Sequence, residues 1–370
     1  MSEQTETSYR PERERATASL EEAVIEQIEA EGPISFRNFM DWALYDPEKG
    51  YYSQVEKLRT GRKGDFYTSV SVGPLFGQIL ARVAQKEWVR LGEPAVFRVT
   101  EWGGEQGHLG RDLMAEAANL GEFGKACQYA VVEPLAKKRE ALAEAHSQWK
   151  VVSEARELSA EAGMVLANEL IDALPFWLVT RSEQEWRERR VGVIDGQFEF
   201  CEAKVKGELK EALMCVPDEL VGRFPDGYET EVRPSTAQML REMKSILSEG
   251  SLLLFDYGFA REDYYHPERK TGTIRTYCRH EAGENPLERV GEQDITAHVD
   301  WTSLVEDATK AGWREPELFA QGSFLTKAAR DLLLEKEATG EVDASFVGQF
   351  QSLTHPGQLG SKFSVLRALV

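Results

Sequence analysis

Apolar positions recur along this chain with two different periods, and the switches between them mark out its elements. From Leu20, the residues Ala23, Val24, Ile28 and Ala30 share one face of a helix that stops at Gly32-Pro33. A second helix follows, with Ser35 placed to cap it and Asp46-Pro47 to end it. After Gly77, the spacing of Ile79, Leu80, Val83, Ala84 and Trp88 is again helical, up to Leu91-Gly92. Short apolar runs then alternate with helical stretches. Residues 97–101, 128–133, 150–152, 164–167 and 251–255 read as strands, with helices at 134–147 and 235–247 between them. Unbroken apolar runs suit strands covered on both faces, as in a parallel sheet. From 176 to 205 the period drops to two, and Asp195-Gly196 separates two alternating runs as a hairpin turn. The end of the chain predicts a helix at 301–311, a strand at 317–319, helices to 353 and a closing strand at 363–366. Residues 269–280 and 291–300 are polar and aperiodic, which suggests functional loops.

The expected organisation is therefore a polar tail at 1–17, a helical cap with a loop at 18–94, and an α/β domain at 95–370 carrying a β-rich insertion at about 176–233. A chain of 370 residues can bury a full core. Its net charge of −19 argues against a nucleic-acid partner held by phosphate contacts and favours a basic one. No apolar run is long enough to insert into a membrane. The cysteines Cys127, Cys201, Cys215 and Cys278 form no C-x-x-C pair, which fits a reducing compartment. Glu3, Glu6, Glu12 and Glu14 interleave with the first arginines, unlike an acid-poor presequence, so a cytoplasmic location is expected.

Acids and glycines gather where the strands end. The first strand runs into Glu101 and a loop with Gly103, Gly104 and Gly107, then a helix; glycines there let backbone approach a ligand closely. The second ends in Glu133, placed to accept hydrogen bonds from a ribose diol. A dinucleotide and S-adenosylmethionine both suit this spacing, and the missing G-x-G-x-x-G pattern favours the latter. The fourth strand ends in Asn168-Glu169-Leu170-Ile171-Asp172, and run 251–255 in Asp256. These acids reach the carboxyl edge of the sheet, where ligands bind in such folds. A plainer role stays open for this group, with Asn168 capping a turn and the acids favouring its dipole.

These motifs resemble the MidA-like family of class I S-adenosylmethionine-dependent methyltransferases, over almost the whole chain from Ile34 onward. The resemblance is carried by Gly64-Asp65-Phe66-Tyr67-Thr68-Ser69, the Glu101 to Leu109 loop, Val132-Glu133, residues 168–175, Asp256-Tyr257-Gly258, Gly272-Thr273, residues 293–300 and His355-Pro356-Gly357. It implies a Rossmann-like class I methyltransferase sheet with helices on both faces. It also implies S-adenosyl-L-methionine as cofactor, with Asp65, Phe66, Thr68, Glu101, Gly103, Gly104, Gly107, Glu133 and Asn168 on the cofactor side. One departure stands out: Glu105 and Gln106 occupy positions where the family pattern has glycine and arginine. A Cβ at Glu105 penalises positive φ, and its charge would lie near the cofactor's carboxylate; Gly104 is expected to supply the lost flexibility.

The family includes a protein-arginine methyltransferase, so the resemblance implies a protein substrate carrying an arginine, such as a subunit of respiratory complex I. Arginine stays protonated in water, and paired carboxylates can grip it through charge-assisted hydrogen bonds. Glu169 and Asp172 are the expected clamp, with Asp256 and His298 as further candidates for orientation or proton removal. For His298 a structural hydrogen bond is an equal alternative. A small-molecule methyltransferase and a binding module that kept the fold without catalysis are the competing readings. The oligomeric state stays open, a homodimer included.

Overall fold

The computed structural model describes residues 19–55, 68–278 and 281–370. The polar tail and the candidate residues Asp65 and Phe66 lie outside the described residues. Among the described residues eight strands build the main sheet. Seven lie along it, β1 (Phe97–Trp102), β2 (Cys127–Val132), β3 (Lys150–Val152), β4 (Ala160–Asn168), β5 (Leu247–Phe259), β6 (Arg314–Ala320) and β7 (Phe363–Leu369), and the short strand Val299–Asp300 pairs with the end of β5. The spatial order of the seven is β3-β2-β1-β4-β5-β7-β6. The first five are mutually parallel, and β7 runs antiparallel to both β5 and β6. This is the doubly wound arrangement, whose order reverses between β1 and β4.

Successive side chains in a strand face opposite sides, and both sides here are packed. In β4, Met164 and Leu166 join one core with Val99, Leu253, Phe255 and Val365, while Val165 and Ala167 join another with Ala130, Leu252, Leu254 and Leu366. Helices cover each side. On the first lie α3 (Leu75–Arg90) and α4 (His108–Ala117); the other is covered by the helices Ala237–Ser245 and Trp301–Lys310. Coverage of both faces explains why these strands read as continuous apolar runs.

A second, antiparallel sheet is built from Ile34–Ser35, Trp177–Ser182, Glu185–Ile194, Gln197–Lys204 and Glu229–Val232. Its hairpin turns at Asp195 and Gly196, with φ of 50° and 76°, the left-handed pair that a type I′ turn requires. Helices α1 (Leu20–Glu31) and α2 (Phe36–Tyr45) start at Ser19 and Ser35, whose hydroxyls accept from the amides of Glu22 and Asn38. Their apolar faces bury Leu20, Val24, Phe36 and Phe39 with Phe176, Leu178 and Val191 of the second sheet. The end of α2 and the segment after it reach the main sheet's ligand edge through Tyr45 and Tyr52.

The stretch expected to be irregular is partly ordered. Arg275–Cys278 pairs antiparallel with Glu281–Gly283 and with Asp294–Thr296. Polar residues turned towards a cavity break the apolar alternation that would reveal such strands. Among the described residues, no helix is long and apolar enough to cross a membrane.

Candidate active site

A cavity of about 1020 Å³ opens at the carboxyl ends of β1, β2, β4 and β5, where the strand order reverses. Thr68, Glu101, Gly103, Gly104, Glu133, Asn168, Glu169, Asp172 and His298 all line it. Gly107 and Asp256 do not, and each acts from behind the wall.

At the β1–β2 end, Glu101 is 4% exposed and accepts a 2.7 Å hydrogen bond from the Tyr129 hydroxyl. Burial pushes its carboxyl up to about 7, against the stabilising Tyr129 bond and with a further push from Glu133. Gly103 has φ 71°, and a Cβ on Gly104 would stand 2.7 Å from Val131 Cγ1. Gly107 starts α4 with φ 75°, where a Cβ would meet His146 Nε2 at 2.6 Å. The loop therefore lies against its support as bare backbone, with room in front for a ligand. Glu133, just beyond β2, accepts from the Leu135 amide at 2.9 Å. Burial raises its carboxyl, and the Lys138 ammonium opposes that shift.

Glu105 behaves differently from the expectation. Gly104 does not take the left-handed turn; Glu105 takes it itself, with φ 45°. Its carboxylate accepts a 2.6 Å hydrogen bond from Lys138, a lysine whose side chain is 7% exposed and lies over the Tyr52 ring. The charge is thus balanced inside the protein. Relieving the φ strain gains about 1–2 kcal/mol, less than the roughly 3–5 kcal/mol at stake when a buried ion loses its partner. Glu105→Gly is therefore expected to lower the melting temperature, and Lys138→Met in the same chain to restore part of it, as calorimetry would show. A higher melting temperature for the single variant would refute the pairing.

At the other end, Asn168 closes β4 and its Nδ2 donates to Glu169 Oε1 at 3.0 Å. Glu169 has φ 52°, and its amide donates to the Phe255 carbonyl at 2.8 Å. Burial, helped by Asp172, pushes the Glu169 carboxyl up to about 8. Asp172 is raised in the same way, although it accepts a 2.6 Å hydrogen bond from the Tyr257 hydroxyl and faces the Arg233 cation. Its Oδ1 is buried with no hydrogen-bond partner among the described residues.

The expectation of a direct catalytic role does not suit the place of Asp256. It is fully buried, and its carboxyl accepts from the amides of Ile171 (2.9 Å), Asp172 (3.2 Å) and Tyr257 (2.8 Å). It fastens the loop that presents the other two acids. His298 lines the cavity with its ring stacked on Phe259 at 4.8 Å and edge-on to Tyr257 at 5.1 Å. Burial lowers its imidazole to about 4, so it is neutral at ordinary pH. Asp294, Tyr45 and Tyr52 also line the cavity, and the reading of the sequence did not single them out. Tyr52 donates to Asp294 at 2.8 Å. For Asp294 the signals were its place in the aperiodic stretch 291–300 and its two-residue spacing with Thr296 and His298, all three of which line the cavity.

This concentration of raised carboxyls has a cost in the ligand-free protein. A raised folded pKa means that the folded state holds protons the unfolded chain has released, so stability falls as pH rises through the folded value. With ordinary carboxyl values near 4.5 and folded values of about 7 for Glu101 and about 8 for Glu169, that loss runs from about pH 4.5 up to about pH 8. His298, lowered from 6.5 to about 4, works in the opposite direction only below about pH 6.5, so the fall is read between about pH 6.5 and 8. The melting temperature of the ligand-free protein is expected to drop across this window. A flat or rising profile in calorimetry would show that these carboxyls are not held protonated.

An acidic cleft lined by Gly103, Gly104 and Glu133 at the carboxyl edge of the sheet suits a cofactor that is itself cationic at sulfur. The comparisons agree. Residues 79–318 match the model of a family described as "putative S-adenosyl-L-methionine-dependent methyltransferase", and the chain belongs to that family. It is an S-adenosyl-L-methionine-dependent methyltransferase. A crystal structure of a Burkholderia thailandensis protein bound to S-adenosyl-homocysteine is similar at TM-score 0.81 and 29% identity, covering 94% of this chain and 91% of that one. Among curated relatives, the mouse "Protein arginine methyltransferase NDUFAF7, mitochondrial" is 27% identical, covering 91% of this chain and 81% of its own length. The Drosophila melanogaster homolog is 25% identical, with coverages of 98% and 87%.

Proposed function

We propose that this methyltransferase modifies an arginine side chain of a protein substrate. The observation that carries the reading is the convergence of Glu169, Asp172 and Asp294 on one cavity, where the charges of Asp172 and Asp294 both act on the Glu169 carboxyl. The carboxyls of Glu169 and Asp172, raised by burial in a shielded pocket, are poorly satisfied until a cation enters, so the site favours a guanidinium over a neutral acceptor. When bound, S-adenosyl-L-methionine supplies an electrophilic methyl group on sulfur, and Glu101, Gly103, Gly104 and Glu133 are the residues that would hold it, with Thr68 and Asn168 beside them. Asp65 and Phe66 belong to the same proposal by family resemblance.

Glu169 and Asp172 grip the guanidinium through charge-assisted bonds and draw positive charge away from the attacking nitrogen. Glu169 is placed to take up the proton that nitrogen releases. His298, neutral and stacked, gives the pocket a flat wall that does not repel a cation. The names of the curated relatives support the arginine reading, and the family resemblance points to a respiratory-chain subunit, in particular of complex I, as the protein. Those relatives are named mitochondrial, whereas four unpaired cysteines fit the cytoplasmic placement proposed for this chain.

The test is to incubate the purified chain with methyl-labelled S-adenosyl-L-methionine and candidate protein subunits, then map the label by mass spectrometry. Label on arginine nitrogen is the expected result. Label on another side chain, or only on small molecules, would overturn the arginine reading and leave the methyltransferase class intact.

A further inference from the structure

One strand of the second sheet, Glu229–Val232, and its next residue bond to the segments that present Asp172 and His298 to the cavity. Glu231 and Arg233 are two apart and so share a side. Glu231 is 1% exposed and accepts from the amides of Thr273 (2.6 Å) and Ile274 (2.8 Å) and from the hydroxyls of Thr273 (3.1 Å) and Tyr264 (3.2 Å). The Thr273 hydroxyl oxygen in turn accepts from the His298 amide at 3.0 Å. Arg233 donates from Nη1 to the His298 carbonyl at 3.2 Å, and from Nη2 to the carbonyls of Asp172 (3.2 Å) and Ala297 (3.3 Å). The Ala297 amide closes the group by donating to the Asp172 carbonyl at 3.1 Å. Neither charged residue lines the cavity.

We infer that Arg233 and Glu231 are positioning residues through which the second sheet sets the placement of Asp172 relative to His298 at the acceptor end. The inference rests on the acceptor reading proposed above. Asp172 comes from the loop after β4 and His298 from a segment about 125 residues later, so no local turn can fix their separation. A planar guanidinium can: its fork spans three carbonyls on the two segments at once, which an ammonium cannot do. The same cation faces Asp172 from the second sheet, Tyr257, Asp256 and Glu169 face it from the main sheet, and Tyr45, Tyr52 and Tyr277 from the segments over the cavity.

The experiment compares Arg233→Met and Arg233→Lys with the unaltered full chain, each saturated with S-adenosylhomocysteine. Binding of Nα-acetyl-L-arginine methylamide is measured by calorimetry across pH, and exchange of the Ala297 amide by nuclear magnetic resonance. Loss of the fork is expected to weaken the arginine probe and speed Ala297 exchange by about tenfold each in Arg233→Met, with affinity for S-adenosylhomocysteine kept within about twofold. The midpoint of probe binding moves to higher pH in Arg233→Met, because the cation that draws Asp172 down is gone. Arg233→Lys keeps the midpoint and loses affinity. A folded Arg233→Met with unaltered probe affinity and exchange overturns the inference. If the unaltered protein binds S-adenosylhomocysteine and refuses the arginine probe at every pH, the acceptor reading falls, and with it any role of Arg233 towards an acceptor.

Discussion

Glu169→Gln is expected to lower the turnover number by about 10³-fold while changing affinity for S-adenosylhomocysteine by less than about twofold, a loss typical of removing an acid–base group. The substitution keeps shape and keeps an oxygen for the Asn168 Nδ2, which now reaches Glu169 Oε1 at 3.0 Å. What it removes is the ability to become an anion. With its carboxyl pushed up to about 8, Glu169 is mostly protonated at pH 7 in the free enzyme, and an arriving guanidinium draws it towards the ionised form. The sign of the pH dependence follows. The carboxylate is populated as pH rises through about 8, so kcat/KM should climb through that value to a plateau, reporting the free enzyme. In Glu169→Gln this limb should vanish. A variant that turns over normally with the same pH limb would remove Glu169 from the reaction.

The parts readable from the sequence were those in which chemistry and period coincide. β1, β2 and β4 announced themselves as apolar runs, each ending in polar groups, because parallel strands are apolar throughout and their carboxyl ends face the ligand. Glu101, Glu133, Glu169 and Asp172 were placed at the ligand edge on that ground alone, and all four line the cavity. The same logic misassigned Asp256, which also follows an apolar run. One residue's register decides whether a side chain enters the crevice or turns back under the loop, and alternation puts Asp256 behind the wall and Tyr257 in the cavity. Glu105 was misjudged for another reason. Its partner Lys138 is 33 residues away on the helix Ala136–Ala145, and ion pairs between elements leave no trace in local spacing. Tyr45, Tyr52 and Asp294 escaped because their meeting depends on the second sheet, which carries the amino-terminal helices to the cavity from outside the main winding.

Asp256→Ala is expected to damage stability first and activity as a consequence. The three amides that its carboxyl now accepts would be left buried, at about 1–3 kcal/mol each. The loss is partly offset, since removing this group also relieves the repulsion that its carboxyl exerts on Asp172 and Glu169. A net destabilisation of about 3–5 kcal/mol is a large share of a domain's margin. The activity loss follows through the backbone. Ile171 and Asp172 are held by Asp256 Oδ2, so freeing them lets the Asp172 carboxyl drift from Tyr257, and a shift of about 1 Å can cost roughly 10²-fold in rate. Asp256→Asn separates the two roles. One amide-facing oxygen survives and the other position becomes an NH2 facing a donor, so its melting temperature should lie between those of Asp256→Ala and the unaltered chain, with activity in the same order. If Asp256 acted directly on the substrate, both variants would lose turnover equally while keeping the native melting temperature, and the carboxyl's place behind the loop would have to be abandoned.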